Sequence, residues 1–488
     1  MSFRSDYLDY DALTAQLRAW ASAHPAFVQL RSIGKSGEGR DMWLLVVGRE
    51  PERARPALWI DGNMHAMELA GSSVALAFAD ELIALHVNNN EPSDCLAYVL
   101  PRMTPDGAEH VLKEGRYVRS VAVDDRPDQG TARWRIQDVD GDGLALTMRV
   151  RDEAGDFVES KRTPGLMIAR QLEDTGPFYK LFPEGIIEGY DGFRVPAWQV
   201  FDDNRTDLNR NFPWSWAPEE EQAGAGDYAT STPEARAVVE LAVKSPHLMV
   251  WINLHTYGGV YIRPLGGQPD SKMDREDLEV YRQMAAWVEQ HTGYATVSGH
   301  EEFLYQPDKP LRGDSADFAY HQLGCMSVAV ELWDLMQQAG IARKKPFIDN
   351  YQQLAPDDVE KIAACDGGRA LKPWVKAKHP QLGDVEVGGI DPRFSVWNPP
   401  RELLDDTCSK NVRVFLKMLA LLPRVHIEAK RTGDRIEIVV YNRGYLATHG
   451  LHSAKKLQLA EPLFAELVDR ARAVDEPKKI LGHLDGWG

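Results

Sequence analysis

Two histidines and two glutamates are the residues of this chain whose types and positions could do chemistry together. His65 and Glu68 stand three apart in His65-Ala-Met-Glu68, so a first helical turn would put both side chains on one face. A neutral imidazole and a carboxylate so placed can share one divalent cation. His255 follows the apolar run Met249–Leu254, and Glu331 follows Met326–Val330. Two histidines with one carboxylate make the three-ligand set of a hydrolytic zinc site, whose fourth position is left to water. A second carboxylate outside that set would act as general base.

Such a set works only if the fold gathers it. Met42–Val47, Ala57–Ile60, Met249–Leu254 and Met326–Val330 read as buried strands, and Asp61-Gly-Asn-Met64 is turn-like. Leu13–Ala23, Ala70–Leu85, Glu234–Val243 and Leu278–Gln290 carry apolar residues at helical spacing. This alternation predicts an α/β fold with a mixed, largely parallel twisted sheet and helices on both faces. In open α/β sheets ligands gather outside the carboxyl ends of strands. Three separate strands would thus deliver His65 with Glu68, His255, and Glu331 to one edge.

The remaining chain frames this core. A length of 488 residues allows two or three domains. A polar tract, residues 123–200, interrupts the alternation and reads as an insertion on the rim. Within it, Asp138-Val-Asp-Gly-Asp-Gly143 alternates aspartates around glycine turns. One reading is a calcium loop offering Asp138, Asp140 and Asp142. The other is an Asp-rich turn, since the twelfth position holds Arg149 where an EF-hand needs Glu. Past Pro423, Val425-His-Ile-Glu-Ala and Ile436-Glu-Ile-Val-Val-Tyr441 flank Arg431-Thr-Gly-Asp434, a hairpin signal. The expected division is a catalytic domain over 1–423 and a small all-β domain over 424–488.

A net charge of −17 argues against broad electrostatic binding of nucleic acid or anionic membrane. The N-terminus lacks an apolar core of signal-peptide length, and no later run reads as long enough to span a bilayer. The four cysteines have no paired spacing, so a reducing cytoplasm is expected.

With these elements in place, the chain resembles the zinc metallocarboxypeptidases of the carboxypeptidase A family. The resemblance runs over residues 6–422 and rests on motifs in matching order. They are His65-Ala-Met-Glu68, Thr104-Pro-Asp-Gly107, Asp207-Leu-Asn-Arg-Asn-Phe212, His255-Thr-Tyr, Tyr305-Gln and Val330-Glu331-Leu. It implies a carboxypeptidase-like fold and one zinc ion on His65, Glu68 and His255, with Glu331 as general base and acid. It further implies that Asn209 and Arg210 hold a substrate's terminal carboxylate. A planar guanidinium suits that task. Asp207 would orient a ligand imidazole.

By gapless counting from Asp106-Gly107, Arg119 falls at the oxyanion position and Arg116 at an accompanying one, with Arg133 and Arg135 as fallbacks. Tyr305 resembles the tyrosine that closes over substrate. Ala316 falls at the base of the side-chain pocket, where a small residue argues against a dedicated acidic grip. Nearby Asp314 weakens that inference, and Arg263 could favour an acidic side chain. The expected partner is a peptide or small amide with a free carboxylate. The alternatives are a related amide hydrolase acting on N-acyl amino acids, cell-wall peptides or glutamyl side chains, and an inactive peptide-binding protein.

Overall fold

The computed structural model describes residues 2–88, 94–122, 132–197, 206–306, 308–433, 435–457, 460–466 and 478–487. The insertion boundaries near 123 and 200, and Asp434 of the hairpin turn, lie outside them.

Eight strands form the central sheet: β1 (Val28–Lys35), β2 (Asp41–Val47), β3 (Ala57–Gly62), β4 (Leu96–Leu100), β5 (Leu248–Thr256), β6 (Val260–Arg263), β7 (Ala295–Ser298) and β8 (Met326–Leu332). Their spatial order is β1-β2-β4-β3-β5-β8-β6-β7. The middle of the sheet, β4-β3-β5-β8, is parallel, and β1, β2 and β6 introduce antiparallel pairs. Every residue of β3 and β5 is buried, as expected of strands covered on both faces. Alternate residues of β3 feed opposite cores: Leu58 and Ile60 face one apolar cluster, Ala57 and Trp59 the other.

Six helices matter for the site: α1 (Tyr10–Ala23), α2 (Ala70–Val87), α3 (Pro233–Val243), α4 (Arg275–Thr292), α5 (Ser315–Leu323) and α6 (Arg401–Ala420). Residues of α1, α2, α4 and α6 pack into the first core, and residues of α3 and α5 into the second. One expectation needs correction. α2 is long and apolar enough to cross a membrane by length and composition. Here its apolar residues from Val74 to Ile83 are instead buried in the protein core.

The polar tract builds more than a rim. Four of its strands, Thr147–Arg151, Phe157–Glu159, Met167–Ala169 and Phe178–Pro183, join Leu371–His379 and Gly383–Ile390 in a second, six-stranded sheet. Val387 pairs with Met148 across two segments remote in sequence, which local patterning does not reveal. Beyond residue 423, Val425–Thr432 pairs with Arg435–Asn442, and Leu463–Glu466 with Lys478–Gly482. Between these two hairpins the chain returns to the main core through Leu446 and Leu451.

Candidate metal centre and active site

The turn joining β3 to α2 carries the first two candidate ligands. His65 and Glu68 lie before α2, not within its first turn, which corrects the helical placement. Asn63, at φ 58°, opens a tight turn and donates to the carbonyls of His65 (2.8 Å) and Ala66 (3.0 Å). These bonds hold the chain in a turn ahead of the helix. The helix is instead started from outside: Asn398 accepts from Ala70 N–H and donates to the Met67 carbonyl, both at 2.8 Å. The three-residue offset still brings His65 and Glu68 together, because Glu68 N–H bonds the His65 carbonyl at 3.1 Å.

His255 arrives on β5. Its Nδ1 lies 3.1 Å from His65 Nδ1 and 2.9 Å from Glu68 Oε2, while His65 Nδ1 lies 2.8 Å from Glu68 Oε1. The three side chains offer ligand atoms all within 4.8 Å of one another, in a buried setting. The outer ring nitrogens fix the tautomers. His65 Nε2 faces Asp207 Oδ1 at 3.1 Å, and His255 Nε2 faces the Asn253 side-chain oxygen. Both acceptors call for N–H on Nε2, which leaves two Nδ1 lone pairs and a carboxylate converging on one point. Burial lowers the pKa of His255, favouring the neutral form a metal needs. This donor set fits a zinc ion.

Asn253 was not singled out by the sequence, although a signal was there. It is a polar residue two positions before His255, hence on the same strand face. Its amide donates to the fully buried Asp61, which also accepts from Trp59 Nε1 at 2.7 Å. Burial pushes the Asp61 carboxyl up to about 7.

Glu331, on β8, is the register partner of His255. Burial and then the Glu68 charge hold its carboxyl well above the usual range, with Arg119 opposing. Arg119 donates from Nε to Asp207 at 3.2 Å and reaches Glu68 from Nη1 at 3.5 Å. Arg116 takes another direction, lying 3.5 Å from Glu114, and is not among the cleft-lining residues. Arg133 and Arg135 both pair with Glu188, at 3.2 and 3.3 Å.

One cleft is lined by His65, His255, Glu331, Arg119, Asn209 and Arg210, and it extends past Tyr305 to Ala316. Asp207 caps the short helix Leu208–Arg210 by accepting from Asn209 N–H at 2.8 Å. Gly313 then holds this segment against the start of α5. It has φ +71°, and a Cβ there would stand 2.3 Å from the Arg210 carbonyl oxygen, so only glycine allows the approach. Asn209 Oδ1 accepts from Ser315 N–H at 3.0 Å, and Ser315 Oγ donates to Asn253 at 3.1 Å. Tyr305 is 40% exposed at the cleft mouth.

Away from the cleft, Asp138 and Asp140 gather with buried Glu184, a residue sequence reasoning missed. Backbone N–H groups already fill much of this group. Gly141 and Gly143 donate to Asp138, Val139 and Leu146 donate to Glu184, and Asp142 accepts from Leu144 N–H at 2.8 Å.

A family model described as zinc carboxypeptidase matches residues 13–138 and 195–363, more than half of the chain. The chain belongs to the zinc carboxypeptidase family. The matched stretches of this family member hold all of the cleft residues named above, and the gap between them spans the four strands that the polar tract gives to the second sheet. Carboxypeptidase M from Mus musculus is 32% identical over 118 residues, 23% of this chain and 27% of that protein. The inactive metallocarboxypeptidase ECM14 of Ajellomyces dermatitidis is 34% identical over 124 residues, 24% of this chain and 21% of that protein. The chain therefore spans about a quarter of the length of these relatives. A crystal structure of thrombin activatable fibrinolysis inhibitor aligns at a TM-score of 0.50 and 18% identity, covering 85% of this chain and 74% of that one. That likeness concerns the fold.

Proposed function

We propose that this member of the zinc carboxypeptidase family is an exopeptidase that hydrolyses the last peptide bond of a peptide bearing a free C-terminal carboxylate. One observation carries the reading. Arg210 and Asn209 line the same cleft as the His65–His255 pair and Glu331, so a carboxylate grip and a hydrolytic centre face one substrate. Among the described residues no carboxylate pairs with Arg210, which suits a guanidinium that receives its partner from the substrate.

Zinc held by His65, Glu68 and His255 would supply Lewis acidity toward the scissile carbonyl and an attacking water. Glu331 takes the proton from that water at its carboxylate and returns it to the departing amine. Arg119 donates to the carbonyl oxygen as negative charge develops there. Asn209 and Arg210 orient the terminal carboxylate, and Tyr305 covers the bound peptide. Asp207 keeps the His65 ring in place. The inactive alternative is disfavoured because the ligand set and Glu331 are both retained. In this reading residues 1–423 carry the catalysis, 424–488 form an accessory β-region, and the protein works in the cytoplasm. Asp138, Asp140 and Asp142 serve as turn braces; a calcium loop is the lesser reading.

The test is a panel of matched peptides with free and amidated C-termini, assayed with zinc present. Cleavage of the free peptides only is expected. Equal cleavage of both would remove the exopeptidase assignment.

A further inference from the structure

The far end of the cleft speaks to which C-terminal side chain it accepts, an inference that rests on the reading above. Three charged residues line this end: Arg263, Asp314 and Asp317. Arg263 is already neutralised, since Asp270 accepts from its Nε at 3.1–3.2 Å and from Nη2 as well. Asp314 and Asp317 have no ion-pair partner among the described residues, although the Arg210 charge bears on Asp314. Asp314 caps α5 through Oδ1, which accepts from Asp317 N–H at 2.8 Å, but its Oδ2 is buried with no hydrogen-bond partner among the described residues. Asp317 is 3% exposed and, among the described residues, its carboxylate receives the Gly266 N–H alone, at 3.0–3.1 Å. Both Oδ2 atoms crowd the same face of Gly266: a Cβ built there would stand 3.3 Å from Asp317 and 3.6 Å from Asp314.

Two neighbouring carboxylates in a buried pocket repel one another, and an unpaired buried acceptor is costly. Burial raises both carboxyls, with the Asp314 charge adding at Asp317 and the Arg210 charge opposing at Asp314. Ala316 and Ala329 contribute little bulk to the lining of that end. Ile262, Phe303 and Leu311 offer apolar wall to a methylene stem.

We infer that Asp314, supported by Asp317, selects substrates whose C-terminal residue carries a cationic side chain of lysine or arginine length. The determinant is thus not the residue at position 316 but the cap of α5 two positions earlier. Arg263 does not select an acidic side chain, because Asp270 holds it.

The test compares N-acylated dipeptides that differ only in the last residue: lysine, arginine, norleucine, phenylalanine and glutamate. Norleucine keeps the four-carbon stem of lysine without the ammonium group. The zinc-loaded protein should favour lysine and arginine over norleucine in kcat/KM by at least about tenfold. Asp314→Asn keeps an oxygen to cap the helix, and it should cut the lysine-to-norleucine ratio at least about tenfold, with Asp317→Asn acting in the same direction. A wild-type preference for norleucine, phenylalanine or glutamate would overturn the inference, as would a ratio unmoved in both variants. Calorimetric binding of the same dipeptides to Glu331→Gln protein reads the preference without turnover. If no peptide is hydrolysed, the exopeptidase reading fails while this measurement still decides the pocket. Should Asp314→Asn not fold, the wild-type lysine-to-norleucine comparison and Asp317→Asn decide it.

Discussion

His255 and Glu331 are register partners on adjacent parallel strands, β5 and β8, so their side chains leave the sheet on the same side. Strand neighbours lie about 4.8 Å apart, which sets a candidate ligand beside a candidate base with no loop between them. Glu331→Gln should therefore lower kcat by about 10²–10⁴-fold while leaving bound zinc unchanged. Steady-state kinetics with elemental analysis of the purified variant checks this. Undiminished turnover would remove Glu331 from the base role.

In the proposed mechanism the same carboxylate sets the pH dependence. Burial and the Glu68 charge raise its pKa, and only the ionised form accepts a proton. Activity should accordingly fall on the acid side, with the acid limb of kcat/KM lying above the ordinary carboxylate range. A limb near the model-peptide value for glutamate would contradict this, and a pH–rate profile distinguishes the two.

Asp207 holds His65 Nε2 and also receives Arg119 Nε. Asp207→Asn should weaken zinc binding about 10–100-fold, the usual cost of losing a partner that orients a ligand imidazole. Competition with a zinc chelator measures it. An unchanged affinity would show that the ring needs no such support.

Arg119 and Arg210 should separate kinetically. In the proposed mechanism Arg119→Ala removes a donor used as charge develops, so kcat should drop by roughly 10²–10³-fold. On the same reading Arg210→Ala removes a grip on the ground-state carboxylate, so KM should rise and discrimination against amidated peptides should fade. Initial rates over a substrate series give both constants.

Gly313→Ala would drive a Cβ into the Arg210 carbonyl at a residue already in the left-handed region. A loss of about 1–3 kcal/mol is expected, read as a lower melting temperature, together with a raised KM as Arg210 shifts. An unaltered melt and KM would show that the loop yields freely.

Much of the site was legible without coordinates because it is built from local patterns. A buried strand has a recognisable composition and an end, and the ends of β3, β5 and β8 are where His65, His255 and Glu331 occur. The side of the sheet each residue faces follows from the two-residue period. Folding alone decided what depends on partners far away in sequence. Asn398 starts α2, Asp61 anchors Asn253 behind His255, and residues 371–390 supply strands that turn the polar tract into a sheet. The far end of the cleft belongs to this second class as well: Asp270 pairs with Arg263, while Asp314 Oδ2 is left without a hydrogen-bond partner among the described residues, an arrangement made only once the chain has closed on itself. Sequence determines which groups are offered, but hydrogen-bond and charge satisfaction are pairwise, and the pairs exist only in the packed chain.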